Sequence, residues 1–588
     1  MRSQLLVRHF LTRFLEHDLV SPNADRREVL SVAGGTLIAL SLFVSALIAL
    51  QYQFANFLPP GITAARSLNE RFLFVSASMF VMALLAVALW DGLALDARDA
   101  AVLGLLPVPR SAIVRAKFTA VALVAAGTDV AWNVAPTLFR GASLPMTLTV
   151  GFKGAIILML AQGATTLAAG AFGFLGVLAL REGLAALLGQ NGFRAISSAL
   201  QAALVVALAS ALLLLPGRYS QALRWLAKGG IAARLFPPFW FVGLHETVAG
   251  SIIDGLPRTT PQPFLIDAER NATRLYRSLW PLYPELARIA IVALPVVAIL
   301  AVVACAWNGR RLPVPPARRR RDAVQRHRVW RRAITCVVAR ASLQQAGFWF
   351  TLQTLPRRVT HRAVLASAIA VGLSLMAVTV RDLALTAQAN ISSVPLAVLA
   401  AQSLLLAALV TGFRHAVQLP AELRASSTFS VAWSGHLQPY VSGVKRAGWL
   451  ALVLPTLLIL FVWHSAILGV PMAAMHLATG VGCSIVLMEL LFLGYRRLPL
   501  VSGYIPSTDL KSRGPAYVIA IFFASYILAW IERAALETSP LSVAALLGAL
   551  LLIAVALSVG ERSRQPPVSI LDLDEEIPLP TQRLNLAG

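Results

Sequence analysis

Twelve stretches of about 20 apolar residues divide this chain, each long enough to cross the hydrocarbon core of a bilayer as a helix. They lie at roughly 30–50, 72–94, 112–135, 148–180, 195–215 and 285–307. The rest lie at roughly 363–380, 394–413, 448–468, 471–494, 515–532 and 541–560. In lipid the backbone has no water to bond, so such runs span as helices that satisfy their own N–H and C=O groups. Composition agrees: 57% of the 588 residues are hydrophobic and 13% are charged, against about 25% charged in ordinary soluble domains. This balance excludes a soluble globular enzyme, a disordered chain and a secreted disulfide scaffold. The expected fold is all-α: a polytopic membrane protein of about twelve transmembrane helices in a 6+6 pseudo-repeat, with interfacial amphipathic helices.

The expected organisation is a first six-helix half over 1–307, a basic linker over 308–362, a second half over 363–560 and a tail over 561–588. Met1 is followed by an amphipathic stretch, which is not the pattern of a cleavable signal. Over residues 4–16, Leu6, Val7, Phe10, Leu11, Phe14 and Leu15 share one helical arc, while Arg8, His9, Thr12, Arg13 and Glu16 share the other. That division predicts a helix lying in the membrane interface. A second interfacial segment is expected around Phe348, Leu352 and Leu355, so both halves open in the same way.

Charge sets the expected orientation. Of the 51 Lys and Arg residues, 36 fall in alternate connections, and fourteen of these lie in 308–362, including Arg318 to Arg321, Arg326, Arg328, Arg331 and Arg332. Short basic connections stay in the cytoplasm, so both termini are expected there, at a bacterial inner membrane, with the linker touching anionic lipids. The formal net charge of +24 is thereby explained without nucleic acid, for which no basic and aromatic groove pattern is present. Cys305, Cys336 and Cys483 form no CxxC pair, which leaves them as apolar fillers and predicts no metal site.

Between the second and third spans, Asp96, Arg98 and Asp99 form a charged amphipathic turn stopped by Pro107 and Pro109. A new helix then starts, with Ser111 as its expected cap and Arg115 and Lys117 in its first turns. The second half carries Glu422 and Arg424, followed by Lys445 and Arg446, at the corresponding place. A charged cytoplasmic helix joining two spans can act as a lever that a partner grips; the plainer reading is an ordinary capped turn.

This recurrence resembles the permeases of ABC-type exporters of the second ("type two") class. The resemblance rests on Leu105, Leu106, Pro107, Val108, Pro109, Arg110 and Ser111, and on Pro237, Pro238, Phe239, Trp240 and Gly243 after the fifth span. It rests also on the run from Phe348 to Arg358, followed by His361 and Arg362. The 425–444 stretch departs from the pattern in being longer and rich in Ser and Gly. The resemblance implies a membrane subunit with no catalytic residue and no cofactor of its own. A pair of cytoplasmic ATP-binding subunits would bind ATP and Mg and push on the cytoplasmic helices. The coupling residues would be Asp96, Arg98, Asp99, Arg115, Lys117, Glu422, Arg424, Lys445 and Arg446, and the cargo an unknown hydrophobic or amphipathic substrate. The residues agree that ATP must be held elsewhere. A phosphate-cradling loop needs a Gly-rich turn ending in Gly-Lys-Ser/Thr. Only Lys511 of the five lysines precedes a Ser or Thr, and Leu510 stands before it.

Ionisable groups within spans are costly and are functional suspects. Asp129 and Lys153 are expected either to line a substrate path or to pair across two neighbouring helices, with Asn133 one turn from Asp129. Glu489 is expected to snorkel or to pair with Arg496 and Arg497. His464 and His476 flank a short outer turn and suit interface hydrogen bonds better than a metal. The outer segment 216–284 carries His245, Glu246, Asp254, Asp267 and Glu269. These could serve a membrane-embedded transferase or act as loop and cap residues of an outer hairpin. A major-facilitator-like secondary transporter is the other alternative: it too has twelve spans and a basic central loop, and Gly92, Asp96 and Arg98 partly mimic its loop between spans two and three.

Overall fold

The structure, a computed structural model, describes residues 2–15, 26–53, 59–90, 109–148, 151–254, 266–310, 341–381, 394–421, 437–495, 498–501 and 508–564. The described residues are 92% helical and include no strand. Eight described helices are long and apolar enough to cross a membrane, and a bent pair, Ala199–Leu215 with Tyr219–Ala227, makes a ninth. Two shorter apolar helices, Leu37–Leu50 and His361–Ala377, accompany them. The chain is an all-α, multi-pass membrane protein. It divides into two compact units, Met1–Ala317 and Arg318–Gly588, a boundary that falls within the basic 308–362 stretch.

Unit 1 opens with the amphipathic α1 (Arg2–Leu15), followed by α2 (Arg26–Gln53), α3 (Pro60–Ala88), α4 (Arg110–Leu148) and α5 (Phe152–Arg218). A separate connection was expected over 181–194. Helix instead runs through both sides of it and breaks at Gly189, whose φ of 68° suits a residue without Cβ. The chain folds back there. Arg181 lies 5.8 Å from the Phe193 ring, whereas a straight helix would hold residues so spaced about 18 Å apart. Beyond α5 come a 3₁₀ turn (Tyr219–Gln221) and the short helices α6 (Ala222–Ala227) and α7 (Ile231–Leu235). Then follow α8 (Pro237–Asp254), α9 (Ile266–Ser278) and the long apolar α10 (Leu282–Arg310).

Unit 2 repeats the order. A short α11 (Ser342–Thr354) precedes α12 (Val359–Arg381), α13 (Leu396–Gln418) and α14 (Leu437–Gly448). A single π turn, Trp449–Val453, joins α14 to α15 (Leu454–Leu468). The wide turn sits just before Pro455, which has no N–H to continue the ordinary ladder. Helices α16 (Val470–Leu491), α17 (Thr508–Thr538) and α18 (Pro540–Arg564) complete the unit. The two arms of α5 match α16 and α17 in order. A tight turn at Ser539 stands where unit 1 inserts α6 to α9.

Burial follows the same order. The second long helix is central in each unit: the apolar windows of α3 and α13 are 72% and 78% buried. The last is peripheral, at 17% for both α10 and α18. Ile291, Val292, Ile299, Val302 and Val303 on α10 are accordingly exposed, as lipid-facing side chains are.

Candidate functional site

In unit 1, α1 lies against the start of α4. Phe10 is buried with Ile113, Ala116 and Ala120, and Leu6, Val7 and Leu11 pack around them. Lys117 is buried at 5% exposure, its Nζ 5.7 Å from the centre of the Phe10 ring. Arg115, two residues earlier, is exposed, and its Nε donates to the Ser111 carbonyl. Ser111 does not cap the helix. The Pro109 carbonyl accepts the first helical bonds, from Ala112 and Ile113, which places Ser111 inside the first turn. Asp96, Arg98 and Asp99, and in unit 2 Glu422 and Arg424, lie outside the described residues.

In unit 2, α11 packs on α14 as α1 packs on α4. Two glycines permit the close approach. A Cβ on Gly443 would lie 2.0 Å from the Gln344 carbonyl oxygen, and one on Gly347 would lie 2.3 Å from that of Tyr440. Gln344 Nε2 also donates to Ser442 Oγ at 3.0 Å. The Ser- and Gly-rich stretch expected over 425–444 is thus helical from Leu437 onward. Lys445 faces inward. It is buried at 9% exposure, with Nζ 2.6 Å from Glu489 and 3.5 Å from Glu561, so it ties α14 to α16 and α18. Glu489 therefore pairs with Lys445; Arg496 and Arg497 lie outside the described residues. Arg446 is exposed. Of the described coupling candidates, Arg115 and Arg446 are exposed, and Lys117 and Lys445 are packing residues at matching places in the two units.

The expected Asp129–Lys153 pair does not form. Lys153 is exposed at the start of α5. Asp129 is buried and accepts from Asn133 Nδ2 at 2.8 Å. That amide also donates to Ser78 Oγ at 2.8 Å, and the Ser78 hydroxyl donates to the Thr166 carbonyl at 2.9 Å. Gly170 leaves the space for the carboxylate, since a Cβ there would lie 2.1 Å from Asp129 Oδ1. Helices α3, α4 and α5 are thus joined by neutral hydrogen-bond donors, which in lipid satisfy an acidic side chain without a second charge.

The segment beyond α5 folds back onto the start of α3. Asn69 donates to the Ser220 carbonyl and accepts from the Leu223 N–H, while Glu269 accepts from the Gly61 and Ile62 N–H groups at 2.8 and 2.9 Å. These are orphan donors of a helix start, and a carboxylate is their natural partner. Glu246 is fully buried. It forms an ion pair with Arg71 and accepts from the Tyr276 hydroxyl at 2.6 Å, with His245 Nδ1 3.8 Å away. Arg71 was legible only as the residue before the second apolar run; the fold draws it inside. Asp267 is exposed on the first turn of α9.

Among the described residues no group of His, Cys, Asp and Glu is arranged to hold a metal ion. Cys305 and Cys483 are free thiols. His464 and His476 are each 1% exposed, with ring centres 4.6 Å apart, and His476 Nδ1 lies 2.7 Å from Glu532 on α17. Glu532 belongs to no motif in the sequence, and Arg533 beside it pairs with Glu537 rather than with it. No protein-family model, no curated protein and no solved structure matches the chain.

Proposed function

We propose that this chain is the membrane-spanning permease subunit of an ATP-driven exporter in a bacterial inner membrane, with both termini cytoplasmic. ATP and Mg would be bound by a separate pair of cytoplasmic subunits. The observation that carries this reading is the repeated docking of a short helix on the start of the third long helix, α1 on α4 and α11 on α14. Each dock stands directly after a charged segment joining the second and third long helices, so force applied to that segment reaches two helices at once. Arg115 and Arg446 are the described residues best placed to meet the partner, together with Asp96, Arg98, Asp99, Glu422 and Arg424. The basic 308–362 stretch would rest on anionic headgroups, and the apolar walls suit a hydrophobic or amphipathic cargo. The deciding experiment is a pull-down of the full chain from native membranes, followed by ATPase measurement. A co-purifying ATPase whose turnover falls when Asp96, Arg98 and Asp99 become Ala supports the reading. Recovery of the chain with no ATPase overturns it.

One observation favours a second reading, a secondary transporter: buried His and Glu side chains meet inside the helices of unit 2. Proton-driven uptake by vesicles lacking ATP is its test. The transferase reading has less support, since Glu246 and Glu269 are both occupied in holding helices together.

A further inference from the structure

His464, His476 and Glu532 come from three different helices of unit 2, α15, α16 and α17, and all three are 1% exposed. Their bonds define where protons sit. The His464 ring bonds the carbonyls of Leu460 and Val398, and carbonyls accept only, so that ring nitrogen carries the proton. His476 Nδ1 faces Glu532 Oε1 at 2.7 Å and shares a proton with it. In each ring the other nitrogen, Nε2, has no hydrogen-bond partner among the described residues. Two ring nitrogens with open lone pairs therefore lie on rings in edge-to-face contact, backed by a carboxylate.

Charge completes the argument. With both rings neutral and Glu532 ionised, the cluster would carry a net charge of −1 within the apolar interior, an unfavourable state in lipid. One added proton brings it to zero. Among the described residues, the other groups facing the cluster supply no charge. Gln402 of α13 donates to the His476 carbonyl, and Cys483 of α16 is a half-buried thiol near Glu532. Among the described residues no Lys or Arg pairs with any of the three.

We propose that His464, His476 and Glu532 form a proton-binding site inside unit 2. The proton arrives from the aqueous phase beyond the turn at Gly469, which joins α15 to α16, and forms an N–H bond at His476 Nε2. The imidazolium is balanced by the Glu532 carboxylate. The site takes protons rather than metal, and it holds whichever energy source drives the protein.

The test uses the full chain, labelled with ¹⁵N-histidine, in nanodiscs of phosphatidylcholine and phosphatidylglycerol. H464N and H476N assign the two resonances among the nine histidines. Between pH 5 and pH 10 the His476 ring nitrogens should pass from a charged to a neutral pattern. In E532Q that transition should move down by about one pH unit or more, because the balancing carboxylate is gone. H464N should also displace the His476 transition; this second variant keeps the test decisive if E532Q fails to assemble. His476 resonances that stay unchanged across the whole range, or a transition indifferent to both variants, would overturn the proposal.

Discussion

Arg71 and Glu246 are both fully buried and meet across α3 and α8. Breaking a buried pair by removing one partner leaves the other charge uncompensated, at about 3–5 kcal/mol. R71M and E246M should each lower the thermal midpoint of the purified protein, and the double variant R71M/E246M should recover much of the loss. At Asp129 the prediction follows from neutral partners. D129A should destabilise by about 1–3 kcal/mol, because it removes the buried carboxylate that accepts from the Asn133 amide beside Ser78. K153A should not, and exchanging the two residues should rescue nothing; rescue by exchange, read by thermal unfolding, would restore the charge pair. At Gly443, G443A forces a Cβ against the Gln344 carbonyl. Overpacking of that kind costs about 1–3 kcal/mol, and faster hydrogen exchange in α11 is its signature. A Ser- and Gly-rich sequence shows none of this, since the need for glycine lies in a helix residing opposite it.

Amphipathic periodicity located α1 without reference to any neighbour, because one arc of Leu, Val and Phe must be covered by something. What covers it is partly α4 rather than lipid alone: Phe10 is 2% exposed against Ile113, Ala116 and Ala120. F10A should release α1 from α4, at a cost of about 3–5 kcal/mol of local docking. It should raise hydrogen exchange over residues 2–15 while leaving α3 and α5 protected. The lysines Lys117 and Lys445 mislead at this scale. A basic residue in the first turns of a span reads as a surface contact, yet both are buried, one beneath an aromatic ring and one between two carboxylates. R115A and R446A should therefore weaken ATPase coupling without loss of thermal stability, whereas K445A should lower stability because Glu489 and Glu561 lose their shared cation. Equal stability of K445A and R446A would contradict that division.

For the molecule as a whole, the charge asymmetry yields a topology prediction. Single cysteines introduced at Arg2 and at Gly588, in a background where the native cysteines are Ala, should react with an impermeant maleimide only after cells are permeabilised. Reaction in intact cells would reverse the orientation. The all-α, membrane-spanning class was legible because it follows from a local property, apolar length against bilayer thickness, although the twelve spans expected stand against eight or nine among the described residues. A turn between 181 and 194 was legible too, but not that helix enters it from both sides and breaks only at Gly189. Nor was the cross-helix partner of any intramembrane charge. Asp129 and Asn133, one turn apart, were legible together, but Ser78 comes from another helix. Glu532 meets a histidine 56 residues away, beside a second that approaches along another helix. Hydrophobic length is a property each segment carries alone, so the amino-acid order determined that this is an all-α, multi-pass membrane protein. Which polar atoms meet inside it depends on the rotation and register of helices distant in the chain, and only their packing decided that.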